Sequence, residues 1–176
     1  MVYGECDSRG RRPFLTEVAS ESSNAGVNHP YGLTFDPHGN IYASFQHTDI
    51  VLRFTKDTFK PMPYPVALQK LVNESRIGPM RLYPGAFFGY HYKGSRIKTG
   101  IRDIEWVHNT LWVANEDISA VSVVDSDGYE IEQLAMPNQA KPIGIHYNKD
   151  YNLVFISTKA PTGAVYGVNP LTKKVN

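Results

Sequence analysis

The fold is decided by one stretch of sequence, Pro30-Tyr31-Gly32-Leu33-Thr34-Phe35-Asp36-Pro37-His38-Gly39-Asn40-Ile41-Tyr42-Ala43-Ser44. Each half alternates apolar and other residues, which is the period of a half-buried strand. Between the halves, Pro37 fixes its own φ angle, and Gly39 or Asn40 accepts a positive φ at little cost. The stretch therefore predicts two strands joined by a tight turn at residues 37–40.

Two later segments repeat this order of strand, turn and strand. They are Ile104-Glu105-Trp106-Val107-His108-Asn109-Thr110-Leu111-Trp112-Val113-Ala114 and Pro142-Ile143-Gly144-Ile145-His146-Tyr147-Asn148-Lys149-Asp150-Tyr151-Asn152-Leu153-Val154-Phe155-Ile156-Ser157. Their offset of about 40 residues is typical of one propeller blade. The offset between the first and second segments is longer by about 30 residues, and proline interrupts the strand pattern there. We therefore predict an insertion between blades at 57–100, within one domain that spans 1–176.

Additional strands follow each hairpin. Residues 50–54, 120–125 and 164–169 read as third strands, and residues 130–134 read as a fourth strand after the turn at 126–128. Long helical periodicity is missing. The pattern predicts an all-β chain built from four-stranded blades.

The quoted stretch, followed by His47 and by residues 51–54, resembles an NHL repeat. Residues 120–125 and 163–170 are similar to blades of the wider NHL, YVTN and gluconolactonase-like propellers. The resemblance implies a β-propeller with about three to four blades, as part of a ring of six or seven. We expect a partial propeller whose first and last blades leave apolar faces open to other protein.

Equivalent positions of the repeat supply the predicted contacts between blades. An alternating strand turns every second side chain to the same face. We therefore expect nine apolar residues to be buried against neighbouring blades: Leu33, Phe35, Ile41, Ile104, Trp106, Leu111, Ile145, Tyr147 and Leu153.

Charge and cysteine content exclude several classes of protein. The chain has 18 Lys and Arg against 17 Asp and Glu, and its net charge of +1 gives no electrostatic reason to expect a nucleic acid partner. The single cysteine, Cys6, excludes an internal disulfide framework and a zinc site with several thiolates. Residues 1–19 lack the apolar core of a secretory leader, and no stretch reads as membrane-spanning. The expected location is cytoplasmic, or extracellular if the chain is a fragment.

Ligands of propellers bind where the innermost strands begin and the loops between blades converge. At this channel mouth the sequence places His29, Tyr31, Arg102 and His146. A zinc site with an open position would need three converging histidines, and only His29 and His146 take comparable positions in their blades.

The gluconolactonase-like resemblance also implies a divalent cation held by carboxylate and Asn oxygens. Only Asp103, Glu105 and Asn115 are placed to supply such oxygens, which suit calcium or magnesium. The other interpretation is that these side chains line the channel and accept hydrogen bonds from backbone N–H groups. We expect no cofactor and no tight cation binding, with a divalent cation such as calcium as the alternative.

The insertion is rich in aromatic and basic residues. Six of them are candidates for partner binding: Arg81, Tyr83, Phe87, Phe88, Tyr90 and Tyr92. Such side chains are favoured at protein interfaces and can also stack on nucleic acid bases. A third interpretation is that the segment packs on its own propeller.

These observations favour a protein-interaction scaffold that is not an enzyme. No Gly-x-Ser-x-Gly elbow and no phosphate-binding glycine loop occurs, and no family catalytic motif maps onto the chain. The alternatives are a metal-dependent hydrolase or lactonase of the gluconolactonase-like group and an RNA-binding NHL platform. Propellers of this group differ in activity, so the resemblance implies a fold and leaves the function open.

Overall fold

A computed structural model gives the fold and describes residues 2–3, 8–9, 14–16, 27–77, 82–89, 98–159 and 163–174. The described strands form four antiparallel sheets, of which three are large and follow one another along the chain. The first sheet contains β3, β4, β5 and β6, the second contains β7 to β10, and the third contains β11, β12 and β13. A short hairpin of β1 and β2 precedes them.

The strands of the hairpin and of the first sheet are β1 (Val2–Tyr3), β2 (Phe14–Thr16), β3 (Pro30–Phe35), β4 (Ile41–Phe45), β5 (Ile50–Phe54) and β6 (Ala86–Phe88). Those of the second and third sheets are β7 (Ile101–Val107), β8 (Thr110–Asn115), β9 (Ala120–Val124), β10 (Glu130–Ala135), β11 (Lys141–Asn148), β12 (Leu153–Lys159) and β13 (Val165–Val168). A 3-10 turn, Pro137–Gln139, joins the second and third sheets. The all-β architecture is confirmed.

The first hairpin turns where the sequence predicts. The Asp36 carboxylate accepts hydrogen bonds from the backbone N–H groups of His38 and Asn40, both at 2.9 Å, and Gly39 has φ 84°. The same side-chain device recurs at Asp125, Asn148 and Asn169, each of which accepts from two backbone N–H groups just downstream. A short polar side chain that bonds its own backbone stabilises a reversal locally, so the sequence alone reveals it.

Two apolar cores join the large sheets. β7 lies beside β3 on one side and beside β11 on the other, so these three are the inner strands. The core between the first and second sheets contains Tyr42, Phe87, Ile104 and Leu111. The core between the second and third sheets contains Trp112, which is fully buried, with other side chains of both sheets.

The predicted contacts between blades are partly confirmed. Ile104, Leu111 and Ile145 are buried, and Trp106 and Tyr147 are partly buried against the two cores. Ile41 is also buried, but in a separate core with Leu68 and Leu82 and not against a neighbouring large sheet. Leu33 and Phe35 were expected to be buried, and this is wrong, because 59% and 56% of their surfaces are exposed. The equivalent residues Ile104 and Ile145 each pack on the sheet that precedes their own. No described sheet lies against the face of β3 that carries Leu33 and Phe35.

The third hairpin differs from the prediction by one residue. Val154 pairs with Tyr147 and is fully buried, whereas Leu153 is only partly buried. The turn before β12 is longer than expected and passes through Asn152 with φ 47°. Because side chains alternate along a strand, a shift of one residue exchanges the two faces.

The segment predicted as an insertion between blades also contains a strand of a blade. This strand, β6, pairs with β5 and is the fourth strand of the first sheet. Most of the other described residues of the segment therefore lie between the third and fourth strands of that sheet. The segment includes one helix that the strand pattern did not predict, α1 (Val66–Asn73). Leu68 of α1 is buried against Ile41, Leu52 and Phe54 of the first sheet. Within the described ranges, no helix has the length and apolarity to cross a membrane.

Candidate functional site

The inner strands β3, β7 and β11 begin at the same end of their sheets, which is the channel mouth. Their first residues, Pro30, Ile101 and Lys141, pair with the last residues of β4, β8 and β12 respectively. Side chains near the start of each inner strand therefore meet those near the end of the second strand. The loops that join the second strand to the third lie at this end as well.

A charged cluster crosses the channel mouth. Arg102 of β7 forms an ion pair with Glu116, which follows β8, and Lys159 at the end of β12 binds the other carboxylate oxygen. Arg102 also donates a hydrogen bond of 2.6 Å to the side-chain oxygen of Gln46. The cluster therefore connects all three large sheets.

Burial and charge act in opposite directions on Glu116. Only 6% of its side chain is exposed, and burial alone would raise the pKa of the carboxyl group. Hydrogen bonds and charge from Lys159 and Arg102 outweigh burial and lower the pKa of Glu116. With one anion between two cations, the cluster has a net positive charge, and the half-exposed Lys159 is its most accessible member.

Aromatic and histidine side chains lie beside this cluster. The Arg102 guanidinium carbon lies 5.1 Å from the centre of the Tyr31 ring, which is a cation–π contact. The rings of Tyr31 and His29 make a T-shaped contact, with ring centres 6.3 Å apart. His29 Nδ1 lies 3.2 Å from His47 Nε2. The structure thus brings His29, Tyr31 and Arg102 together at the end where the inner strands begin.

His146, the fourth residue predicted at the mouth, lies apart from this group. It belongs to β11, 75% of its side chain is exposed, and its Nδ1 is 3.8 Å from Glu105 Oε1. The reason is its place within the strand, because His146 is the sixth residue of β11, far along from the end at which the strand begins.

Asp103 and Glu105 connect neighbouring inner strands. Asp103 accepts a 3.0 Å hydrogen bond from the backbone N–H of Ile145, and Glu105 accepts one of 3.1 Å from the N–H of Tyr147. Thr34 makes the equivalent contact between β3 and β7, because its hydroxyl accepts from the N–H of Trp106 at 3.1 Å. These side chains bridge strands that do not pair through their backbones.

The environment of Asp103 agrees with this structural role. Burial raises the pKa of Asp103, and the hydrogen bonds from the backbone of Ile145 and Ile104 offset some of that rise. The close approach of Asp103 also explains Gly32, since a Cβ atom at position 32 would lie 2.4 Å from Asp103 Oδ1. Only glycine fits between these inner strands without displacement.

Asn115, the third candidate ligand, belongs to a hydrogen-bonded network that includes neither of the two carboxylates. It is fully buried at the end of β8, where its oxygen accepts from the Thr99 hydroxyl at 2.8 Å and its nitrogen donates to Ser122 at 2.8 Å. Within the described ranges, no group of three or more His, Cys, Asp or Glu side chains has the arrangement of a metal site.

The candidates for partner binding divide into three groups. Phe87 and Phe88 lie in β6 and are buried in the core between the first and second sheets, so their burial needs no partner chain. Tyr83 is partly buried against the core beneath α1. Arg81, Tyr90 and Tyr92 lie outside the described residues.

Sequence reasoning did not place four residues at the channel mouth: Gln46, His47, Glu116 and Lys159. A signal was present, because Gln46 and Glu116 hold the same position after the second strand of their hairpins. Polar residues at that position are also expected of any exposed loop. Only the packed sheets bring Gln46 and Glu116 against Arg102.

No protein-family model matches the chain, and no curated protein sequence matches it. Solved structures do resemble it. Virginiamycin B lyase from Staphylococcus aureus is 15% identical with a TM-score of 0.57, over 97% of this chain and 45% of that one. A calcium-binding protein, regucalcin, from Agrobacterium tumefaciens is 16% identical with a TM-score of 0.56, over 90% of this chain and 44% of that one.

A putative 6-phosphogluconolactonase from Bacteroides uniformis gives a similar result, with 17% identity, a TM-score of 0.54 and coverage of 97% of this chain and 48% of that one. The chain spans about half the length of the structures it matches. Likeness at this level of identity shows the fold and leaves the activity open. The chain has the fold of a partial β-propeller.

Proposed function

We propose that this chain is a protein-binding scaffold whose first sheet presents an apolar docking strip, formed by Leu33 and Phe35 of β3. The observation that supports the proposal is the exposure of these two side chains, 59% and 56%. Both lie on the face of β3 that the repeat uses for packing. An exposed apolar group of this kind is typical of an interaction surface.

The equivalent positions indicate what the docking strip would contact. Ile104 and Ile145 begin the corresponding pairs in β7 and β11, and each is buried against the sheet that precedes it. Burial of one large apolar side chain stabilises a contact by about 1.5–3 kcal/mol. A β-sheet surface with apolar side chains therefore matches the docking strip in shape and chemistry.

The polar groups of the inner strands favour a scaffold over a hydrolase. Asp103 and Glu105 already accept hydrogen bonds from the backbone of the third sheet, and Asn115 is buried within a hydrogen-bonded network. A hard cation needs about six or more oxygen ligands, which would have to replace these bonds. The metal-dependent hydrolase or lactonase is the second candidate, since the structures that resemble this chain include lyases and a putative lactonase.

An RNA-binding platform has less support. The net charge is +1, and Arg102 is compensated by Glu116. RNA platforms combine a positive surface with exposed stacking rings. Affinity for a single-stranded RNA that falls steeply with salt would revive this alternative.

Site-specific photo-crosslinking tests the docking strip. A photoreactive phenylalanine analogue replaces Phe35 in one variant and Tyr151 in the control, because Tyr151 is 73% exposed and lies in a hairpin turn. After irradiation in an extract of the native cells, we expect a discrete protein adduct from position 35 and none from position 151. Addition of Leu33→Lys should abolish that adduct. Equal labelling at both positions, or an adduct that Leu33→Lys leaves unchanged, would contradict the proposal.

A further inference from the structure

His29 and His47 lie 18 residues apart in sequence and meet at the channel mouth. Nδ1 of His29 is 3.2 Å from Nε2 of His47, and the ring centres are 4.5 Å apart with planes inclined at 57°. Both residues are exposed to solvent. The two ring nitrogens therefore face each other at hydrogen-bond distance in an exposed part of the structure.

We propose that His29 and His47 form a two-histidine site for a transition-metal ion such as Zn²⁺, Ni²⁺ or Cu²⁺. Imidazole is the side chain that these ions prefer among neutral nitrogen ligands. Zn–N bonds of about 2.0–2.1 Å at a tetrahedral angle place two ligand nitrogens about 3.3–3.4 Å apart. The observed separation of 3.2 Å is close to that value.

The side chains need only a small movement to chelate an ion. In a tetrahedral chelate the two ring centres are about 5 Å apart, slightly more than the 4.5 Å observed. Exposed side chains rotate readily, so the rings can open by this amount. Water completes the coordination sphere, since two imidazoles fill two of about four positions.

The backbone holds the two histidines in place. The backbone N–H of Gln46, which precedes His47, donates a 2.9 Å hydrogen bond to the carbonyl oxygen of His29. The N–H of Asn28 donates a 2.7 Å hydrogen bond to the Thr48 hydroxyl. Hydrogen bonds on both sides of the pair fix the spacing of the two loops, which lowers the entropic cost of binding an ion.

Charge at the channel mouth does not oppose a cation strongly. Arg102, whose guanidinium contacts the Tyr31 ring that also contacts His29, is paired with Glu116. Paired opposite charges largely cancel beyond their immediate neighbourhood. The surroundings therefore permit a divalent ion between the two rings.

Isothermal titration calorimetry of the full chain without a histidine tag tests the site. Zn²⁺, Ni²⁺, Cu²⁺, Mn²⁺ and Ca²⁺ are titrated separately. Cu²⁺ should bind most tightly, Ni²⁺ and Zn²⁺ with similar lower affinities, and Mn²⁺ and Ca²⁺ most weakly. His29→Asn and His47→Asn should each lower the Zn²⁺ affinity at least tenfold. Asn suits position 29 because His29 has φ 62°, a left-handed conformation that Asn adopts readily.

The matched control is His38→Asn, which changes an exposed turn histidine and should leave the affinity within twofold. Circular dichroism verifies that the variants fold. As a measurement on the unmodified chain, Zn²⁺ should protect His29 and His47 from acylation by diethylpyrocarbonate and leave His38 reactive. Absence of Zn²⁺ binding at millimolar concentration, unchanged affinity in both pair variants, or equal protection of all three histidines would overturn the proposal.

Discussion

Replacement of Glu116 by Gln should destabilise the chain, because Glu116 is the only anion in the charged cluster at the channel mouth. It lies between Arg102, whose side chain is 15% exposed, and Lys159, whose side chain is 48% exposed. The Gln side chain has nearly the same volume and retains one acceptor oxygen. Glu116→Gln therefore removes the charge and leaves the packing largely unchanged.

The magnitude follows from the burial of each partner. Removal of one member of a buried ion pair costs about 3–5 kcal/mol, because the other charge remains buried and uncompensated. Here the loss is smaller, since Gln46 still accepts a hydrogen bond from Arg102 and Lys159 can turn to water. We expect the free energy of unfolding to fall by about 2 kcal/mol. Lys159→Met should cost less than about 1 kcal/mol, because an exposed charge is well solvated.

Urea denaturation followed by tryptophan fluorescence measures this effect, with a lower midpoint and an unchanged slope expected. The pH dependence supplies an independent check. The pKa of Glu116 is lowered in the folded chain, so its contribution is present above the pKa of an unfolded Glu, about 4.3. That contribution is lost as the pH falls through the lower folded pKa. The difference between wild type and Glu116→Gln should therefore shrink on acidification.

Two results would refute this reasoning. One is a loss of less than about 0.5 kcal/mol at neutral pH, which is the range of an ordinary surface substitution. The other is a difference that stays constant down to pH values below the folded pKa of Glu116. A double variant, Arg102→Met with Glu116→Gln, should recover some of the loss, because no buried charge is then left without its partner.

Three further predictions concern packing between the inner strands and the sheets. Gly32→Ala should lower the free energy of unfolding by about 1–3 kcal/mol, because the new Cβ would lie 2.4 Å from Asp103 Oδ1. The control Gly163→Ala should be neutral, since the nearest atom to its new Cβ is at 3.6 Å. Equal urea midpoints for the two variants would contradict this prediction. Leu111→Ala should cost about 2–5 kcal/mol because Leu111 is fully buried, while Leu171→Ala, at 72% exposure, should change the melting temperature little. Because the pKa of Asp103 is raised, the folded state binds the proton of this carboxyl group more tightly than the unfolded state does. The free energy of unfolding should therefore decrease as the pH rises through the folded pKa of Asp103. NMR titration of the Asp103 carboxyl carbon should give a midpoint above that of a free Asp.

The all-β fold and the positions of the hairpins could be predicted from the sequence because their causes are local. At the first turn, Asp36 bonds the backbone a few residues downstream, and Gly39 takes a positive φ that other residues avoid. The burial of Ile104 and Ile145 was likewise predicted from strand alternation, together with the repeat that places both at one position of their blades.

Some of the candidate site could also be predicted. His29, Tyr31 and Arg102 were placed at the channel mouth because each lies near the start of an inner strand, and the structure brings them together. The pairing of His29 with His47 and of Arg102 with Glu116 was not predicted. Those contacts depend on the spacing and twist of neighbouring strands, which no local pattern records.

The sequence by itself therefore determined the all-β class, the turn of the first hairpin and the side-chain faces of residues such as Ile104 and Ile145. Only the tertiary structure decided which faces are covered: Leu33 and Phe35 follow the same alternation as their buried equivalents, yet they are exposed. It also decided that Asp103 and Glu105 bond the backbone of a neighbouring strand. The physical reason is that alternation fixes the direction in which a side chain points, whereas burial and hydrogen bonding depend on what another segment of the chain places there.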